Sequence, residues 1–353
     1  MPASDKNLYL DPYRSVRLWL YCLAVLVAGM VLVGGATRLT DSGLSITEWA
    51  PIRGFMPPLS LADWESEFIA YQTTAEFKQQ NSLMTLDQFK MIYWWEWGHR
   101  FLGRITGLAV LLPMIFFWAR GNLNRWLKPA VLFLFALVSF QGFLGWWMVK
   151  SGLADRVDVS QIRLAVHLVA ACILLIAVIW VARSLARHTH SKSLTGQWQG
   201  GGLVLLVLIQ IFLGGLVAGL DAGMAYNTWP TMNGEWVPEG MWILQPAWTN
   251  LTDNALTVQF VHRITAYFLW IVCLFHAVVV SRREPITTHG RRAWMLFLLV
   301  SVQALIGIMT LLLQVPISWG LFHQTGGIIV LAFATAHWRA LKPKDEIKEV
   351  SMV

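Results

Sequence analysis

Charge is scarce in this chain of 353 residues. Only 13% are Asp, Glu, Lys or Arg, 56% are hydrophobic, and the mean hydropathy is +0.53. Soluble globular domains carry about 25% charged residues, so neither a soluble enzyme nor a disordered chain fits. Cysteine is nearly absent too. Cys22, Cys172 and Cys273 each fall inside an apolar run. That excludes a disulfide framework and thiolate metal spacing, and it predicts three buried free thiols. Acids are fewer than bases, 20 against 27, giving a net charge of +7 and a pI near 9.5. Such a balance can mark a nucleic-acid binder, but the placement of the charges excludes that.

Eight apolar stretches are present, each long enough for the roughly 20 helical residues that cross a bilayer. They lie near 18–37, 98–119, 129–149, 164–182, 201–220, 255–280, 293–313 and 317–338, the second with Arg100 and Arg104 in its first turns. The first is not read as a cleavable signal, because Gly34-Gly35-Ala36 runs straight into Thr37-Arg38 with no cleavage site. Most Lys and Arg cluster on alternate sides: Lys6, Arg14 and Arg17; Arg120, Arg125 and Lys128; Arg183, Arg187 and Lys192; Arg282, Arg283, Arg291 and Arg292; Arg339, Lys342, Lys344 and Lys348. The opposite side has a long loop, 38–97, richer in acids than bases, and a loop at 221–254 without Lys or Arg. The positive-inside rule therefore puts both termini in the cytoplasm, or in the matrix of a mitochondrion. Twenty tryptophans, many near span ends, suit the membrane interface.

The halves repeat. Leu32-Val33-Gly34-Gly35 and Asp41-Ser42-Gly43-Leu44 recur as Phe212-Leu213-Gly214-Gly215 and Asp221-Ala222-Gly223-Met224. Glu96-Trp97-Gly98-His99-Arg100 recurs as Gln259-Phe260-Val261-His262-Arg263, Gln141-Gly142-Phe143-Leu144-Gly145 as Gln303-Ala304-Leu305-Ile306-Gly307, and His167 as His323. Each unit has four spans, so the repeat is parallel, unlike the inverted repeats of many carriers. The expected fold is all-α: eight transmembrane helices forming two parallel-repeat four-helix bundles. Segment 1–17 precedes a first bundle at 18–182. A linker at 183–200 leads to a second bundle at 201–338 and a tail at 339–353.

His99, His167, His262 and His323 open spans two, four, six and eight, all on the outer side. Two imidazoles at one depth in a four-helix bundle can hold a porphyrin iron between them. A single such histidine would read as an interfacial side chain satisfied by water. Four in register read as ligands, and two per half leave a zinc shell incomplete. Arg100 and Arg263 follow their histidines and are suited either to a propionate or to lipid headgroups. The glycine pairs Gly34-Gly35 and Gly214-Gly215 give room for a flat ring or a neighbouring helix, and taken alone they read as plain helix packing.

One asymmetry stands out. Glu96, three residues before His99, faces neutral Gln259 in the other half. An acid at the membrane is costly and marks a functional candidate; the alternative is a carboxylate solvated at the helix mouth. The expectation is that the first half does chemistry under its long loop, while the second holds a permanent redox group. His276 and His337 each lie 14 residues after a motif histidine, about 21 Å along a helix. They are read as inner-surface histidines; stacked haems in a transmembrane electron-transfer cytochrome are the rival reading. His188, His190 and His289 receive no role.

With these pieces together, the chain resembles the haem A synthase family over about residues 18–338. The resemblance rests on the Glu96–Arg100 segment, His167, Val261-His262-Arg263, His323 and the eight-span repeat. It implies that haem O is oxidised to haem A, the porphyrin C8 methyl becoming a formyl group through hydroxylated intermediates. It implies a resident haem b, with its iron, on His262 and His323. It implies a substrate haem flanked by His99 and His167, and a functional acid at Glu96. That carboxylate would stabilise a cationic transition state or deprotonate a water. Neither outer loop has a cysteine, so the resemblance is to the cysteine-free branch shared by proteobacterial and mitochondrial members. The pathway implies a haem O synthase, cytochrome oxidase assembly factors and an electron acceptor as partners, with membrane lipid around the chain, no nucleic acid, and self-association left open. The short amino terminus favours a bacterial inner membrane. The rival function is a di-haem b-type electron-transfer cytochrome; a haem transporter ranks third.

Overall fold

The computed structural model describes residues 11–50, 53–153, 156–186, 194–283 and 288–342. Lys6, Arg187, His188, His190, Lys192, Lys344 and Lys348, with part of the expected linker and most of the expected tail, lie outside the described residues. The elements in order are α1 (Arg14–Leu39), α2 (Leu61–Gln72), α3 (Ala75–Gln79), α4 (Leu86–Ala119), α5 (Leu127–Gly152), α6 (Gln161–Ser184), α7 (Leu194–Gly219), α8 (Asn250–Asp253), α9 (Ala255–Arg283), α10 (Thr288–Leu312) and α11 (Ile317–Leu341). Eight of them, α1, α4, α5, α6, α7, α9, α10 and α11, are long and apolar enough to cross a membrane. Leucine, isoleucine and valine all around each helix suit a solvent that is itself hydrocarbon.

Within the first half α1 packs on α4, α4 on α5, α5 on α6 and α6 on α1. Within the second, α7 packs on α9, α9 on α10, α10 on α11 and α11 on α7. The halves meet through α1, α6, α7 and α11. Gly215 and Gly219 of α7 let that helix close on α6: a Cβ on Gly219 would lie 2.7 Å from the Cα of Gln161. At the outer rim Arg38 ion-pairs Asp41 of its own half at 2.7 Å and Asp221 of the other half at 2.7 Å. These two aspartates are repeat equivalents, and both adopt a left-handed backbone conformation, with φ of 46° and 49°.

One expectation is corrected and one is extended. Cys22 is exposed on the outside of α1, while Cys172 and Cys273 are buried; an apolar run in a membrane helix has a lipid-facing side as well as a core side. The helix that carries the second span extends beyond the apolar stretch that begins near residue 98. Helix α4 starts at Leu86, where Thr85 accepts a hydrogen bond from the Gln88 backbone and the Gln88 side chain caps in return. Its first three turns rise into the outer loop, where Phe89 and Tyr93 pack with Tyr71, Ile46, Trp64, Phe68 and Phe77 from the loop and from α2 and α3. An aromatic core thus gives the long loop its own folded layer over the first half.

Candidate functional site

Each motif histidine lies within the outer part of its helix: His99 on α4, His167 on α6, His262 on α9 and His323 on α11. Each ring rests on a glycine of a neighbouring helix. A Cβ at Gly34 would lie 3.2 Å from His99 Nε2, and one at Gly145 3.4 Å from His167 Cε1. One at Gly214 would lie 3.2 Å from His262 Cε1, and one at Gly307 only 2.6 Å from His323 Cε1. The glycines of the repeat are therefore seats for imidazoles. Gly35 instead receives Gln324, whose Nε2 donates to the Val31 carbonyl at 2.6 Å across the two halves.

In the second half the rings of His262 and His323 face one another, centroids 6.4 Å apart and planes at 79°. Two imidazoles ligating one metal ion through nitrogens about 2 Å away place their centroids about 6 Å apart. Gln303 Nε2 donates to the His323 carbonyl at 2.7 Å and lies 3.1 Å from its Nδ1. Gln210 holds His262 likewise, at 3.0 Å to the carbonyl and 3.1 Å to Nδ1. The Oε1 atoms of both glutamines are buried without a partner. Spacing, glycine seats and orphaned amide oxygens together fit a planar ligand held between the two rings. In the first half His99 and His167 lie close enough to interact electrostatically.

The inner pair is built differently. His276 and His337 bond directly, Nε2 to Nε2 at 3.0 Å, with centroids 5.2 Å apart, and Gln199 Oε1 lies 3.2 Å from His276 Nδ1. A side-chain carbonyl can only accept, so His276 carries its proton on Nδ1 and His337 donates from Nε2. This closed chain leaves no space for a macrocycle, so the geometry does not support a second haem level.

Glu96 is buried, at 3% exposure, which rules out a solvated carboxylate at the helix mouth. It turns to the outer loop. Its Oε2 accepts from the Ser45 hydroxyl and from the Ile46 backbone N–H, both at 2.8 Å. Its Oε1 accepts from Arg100 Nη2 at 2.6 Å and Nε at 3.1 Å. Arg100 also donates to the carbonyls of Ile46 and Glu48, at 2.8 and 2.9 Å. Arg263 does the same in the second half, donating to Tyr226 and Thr228 carbonyls at 2.8 Å each and to Gln259 Oε1 at 2.9 Å. Both arginines clamp the outer loops onto their helices.

Sequence reasoning misses Ser45 and Ile46. Their signal is the loop register, in which Ile46 and Glu48 stand where Tyr226 and Thr228 stand in the second half. Glu76 of α3 has no sequence signal at all. It is buried at 3% exposure, beside Tyr71 and with Oε2 unpartnered. Burial pushes its pKa up to about 8, and Asp158, Asp41 and Glu96 push the same way.

A family model described as cytochrome oxidase assembly protein, COX15-CtaA, matches residues 17–335. A protein named Heme A synthase from Chelativorans sp. (strain BNC1) is 56% identical over 328 residues, covering 93% of this chain and 91% of that protein. One of the same name from Rhizobium meliloti (strain 1021) is 53% identical over 342 residues, covering 96% and 93%. Matched along nearly its whole length, with the repeat, the paired histidines and the loop clamps inside the matched region, this chain belongs to the cytochrome oxidase assembly protein family COX15-CtaA.

Proposed function

We propose that this protein is a haem A synthase, an oxidoreductase of the bacterial inner membrane that converts haem O to haem A. The reaction takes the C8 methyl through hydroxylated intermediates to a formyl group. The observation that carries the reading is the arrangement of His262 and His323, 6.4 Å apart on glycine seats, in a chain more than half identical to proteins of that name. The proposed division of labour follows the repeat. The second bundle, 201–338, holds haem b between His262 and His323; the first, 18–182, holds the substrate between His99 and His167.

Bound there, haem b supplies one-electron redox chemistry; the rest is the work of the chain. Gly34 and Gly145 let the first-half imidazoles approach their neighbouring helices closely. Loss of two electrons, to the external electron acceptor the reaction requires, and of one proton from the methyl would leave a cation delocalised over the substrate ring. Glu96, one helical turn from His99, is a fixed negative charge, and a preorganised charge in a dry site lowers the cost of that cation. Its oxygens already accept from Ser45, Ile46 and Arg100, which favours electrostatic stabilisation over proton abstraction. Orientation with both termini in the cytoplasm follows the positive-inside rule.

Mass spectrometry of acid-extracted haems tests the reading, on protein purified from cells that also make haem O. Haem b together with haem O, its hydroxylated form or haem A is expected. Haem b alone, two per chain and dependent on all four outer histidines, would favour the electron-transfer cytochrome.

A further inference from the structure

On the face opposite the outer loops, Arg183 near the end of α6 and Arg292 in the second turn of α10 approach one another closely enough for their charges to repel. They come from different halves, and α11 packs against both of their helices. Neither guanidinium has a hydrogen-bond or ion-pair partner among the described residues. Arg183 Nε and Arg292 Nη1 are moreover shut off from solvent and donate to nothing. Among the described residues the one carboxylate on this face is Asp11, which is paired with Arg17. At the same end of the helices Trp180 and Trp338 pack with their rings tilted at 58°, centroids 4.6 Å apart, with Arg339 over Trp180, a depth typical of headgroups.

Two like charges with buried, unused donors are unfavourable as they stand, and an anion between them removes both defects. We propose that Arg183 and Arg292 form a binding site for a phosphate group. A guanidinium fork matches phosphate oxygens two at a time, and basic pockets between membrane helices take the phosphates of anionic lipids. A phospholipid headgroup and free phosphate share this chemistry. Such a ligand would bridge the two bundles at the face opposite the haem sites.

The test uses the full chain in nanodiscs of phosphatidylcholine, alone, with phosphatidylglycerol added, or with inorganic phosphate added. The variants are Arg183→Gln, Arg292→Gln, the double variant, and Arg291→Gln as an exposed control on the same helix. Thermal midpoints and native mass spectrometry of retained lipid are read. In phosphatidylcholine alone each single variant should melt no lower than the parent, because a repulsion is removed. Phosphatidylglycerol should raise the parent's midpoint and remain bound. The double variant should bind it about twenty-five-fold more weakly, at roughly five-fold per guanidinium. Stabilisation by phosphatidylglycerol but not by inorganic phosphate identifies a lipid site; equal stabilisation by inorganic phosphate identifies a free-phosphate site. Equal responses of parent and double variant to both probes would overturn the proposal, as would equal loss in Arg291→Gln. Because the single variants are expected to be no less stable than the parent, a fall in their midpoints in phosphatidylcholine alone would also overturn it.

Discussion

Glu96 and Gln259 occupy equivalent places in the repeat and anchor equivalent loops with opposite hydrogen-bond polarity. Glu96 accepts from the Ile46 N–H at 2.8 Å, whereas Gln259 donates through Nε2 to the carbonyls of Ala222 and Tyr226, at 2.8 and 3.3 Å. In both halves the arginine one turn later completes the clamp. The second half shows that the anchor can be built without a charge; in the first half the carboxylate also ion-pairs Arg100 at 2.6 Å, so the two clamps differ in charge as well as in polarity.

Replacement of Glu96 by Gln separates these roles. The amide can keep part of the loop anchor, but Arg100 loses its counter-charge. Haem content should stay near that of the parent, and haem A formation should fall roughly a hundred-fold, the scale of losing a preorganised charge. Ser45→Ala removes one neutral donor and should cost about 1 kcal/mol of stability with a smaller loss of product. Unchanged product yield in Glu96→Gln would remove the acid from the chemistry.

The glycine seats make a steric prediction. Ala at 307 would press a methyl into His323, an overpacking that costs about 1–3 kcal/mol, and should abolish the resident haem signal in a pyridine haemochrome assay. Ala at 34 crowds His99 instead, so haem b should be retained and product reduced. Ala at 142, where a Cβ meets nothing within 4 Å, serves as the control. Retention of full haem b by Gly307→Ala would argue against ligation by His323.

Glu76 sets a pH dependence in the outer loop. Its pKa is raised from the usual 4.5 to about 8, burial being the main cause. The folded loop therefore holds a proton that the unfolded chain releases. The stabilisation is complete below pH 4.5, falls as the pH rises between those values, and is gone above 8. Its size is on the order of a few kcal/mol. Limited proteolysis of the loop should accelerate from pH 6 to pH 9 in the parent, and Glu76→Gln should flatten that profile. A parent rate that does not change with pH would contradict this.

The inner histidines should be dispensable for haem. His276→Gln and His337→Gln should each keep the parent's haem content per chain, since their rings bond to one another. A halved haem content in either variant would revive the two-haem cytochrome.

Span number, the parallel repeat and the paired outer histidines are all legible along the chain, because each is a local or periodic property: hydropathy over a helix length, and motifs returning at a constant offset. Membrane helices report themselves in this way because hydrocarbon demands an apolar run wherever the backbone crosses. What Glu96 and the two arginines bond to is not legible. Glu96 accepts from the Ser45 hydroxyl and the Ile46 N–H; the arginines donate to the carbonyls of Ile46 and Glu48 in one half and of Tyr226 and Thr228 in the other; all lie some tens of residues away, and a backbone group has no residue type by which to recognise it. Nor does composition reveal the exposure of Cys22, the burial of Glu76 or the meeting of Arg183 with Arg292. Each depends on which side of a helix turns to lipid, to the loop core or to the other half, and packing between distant segments sets that.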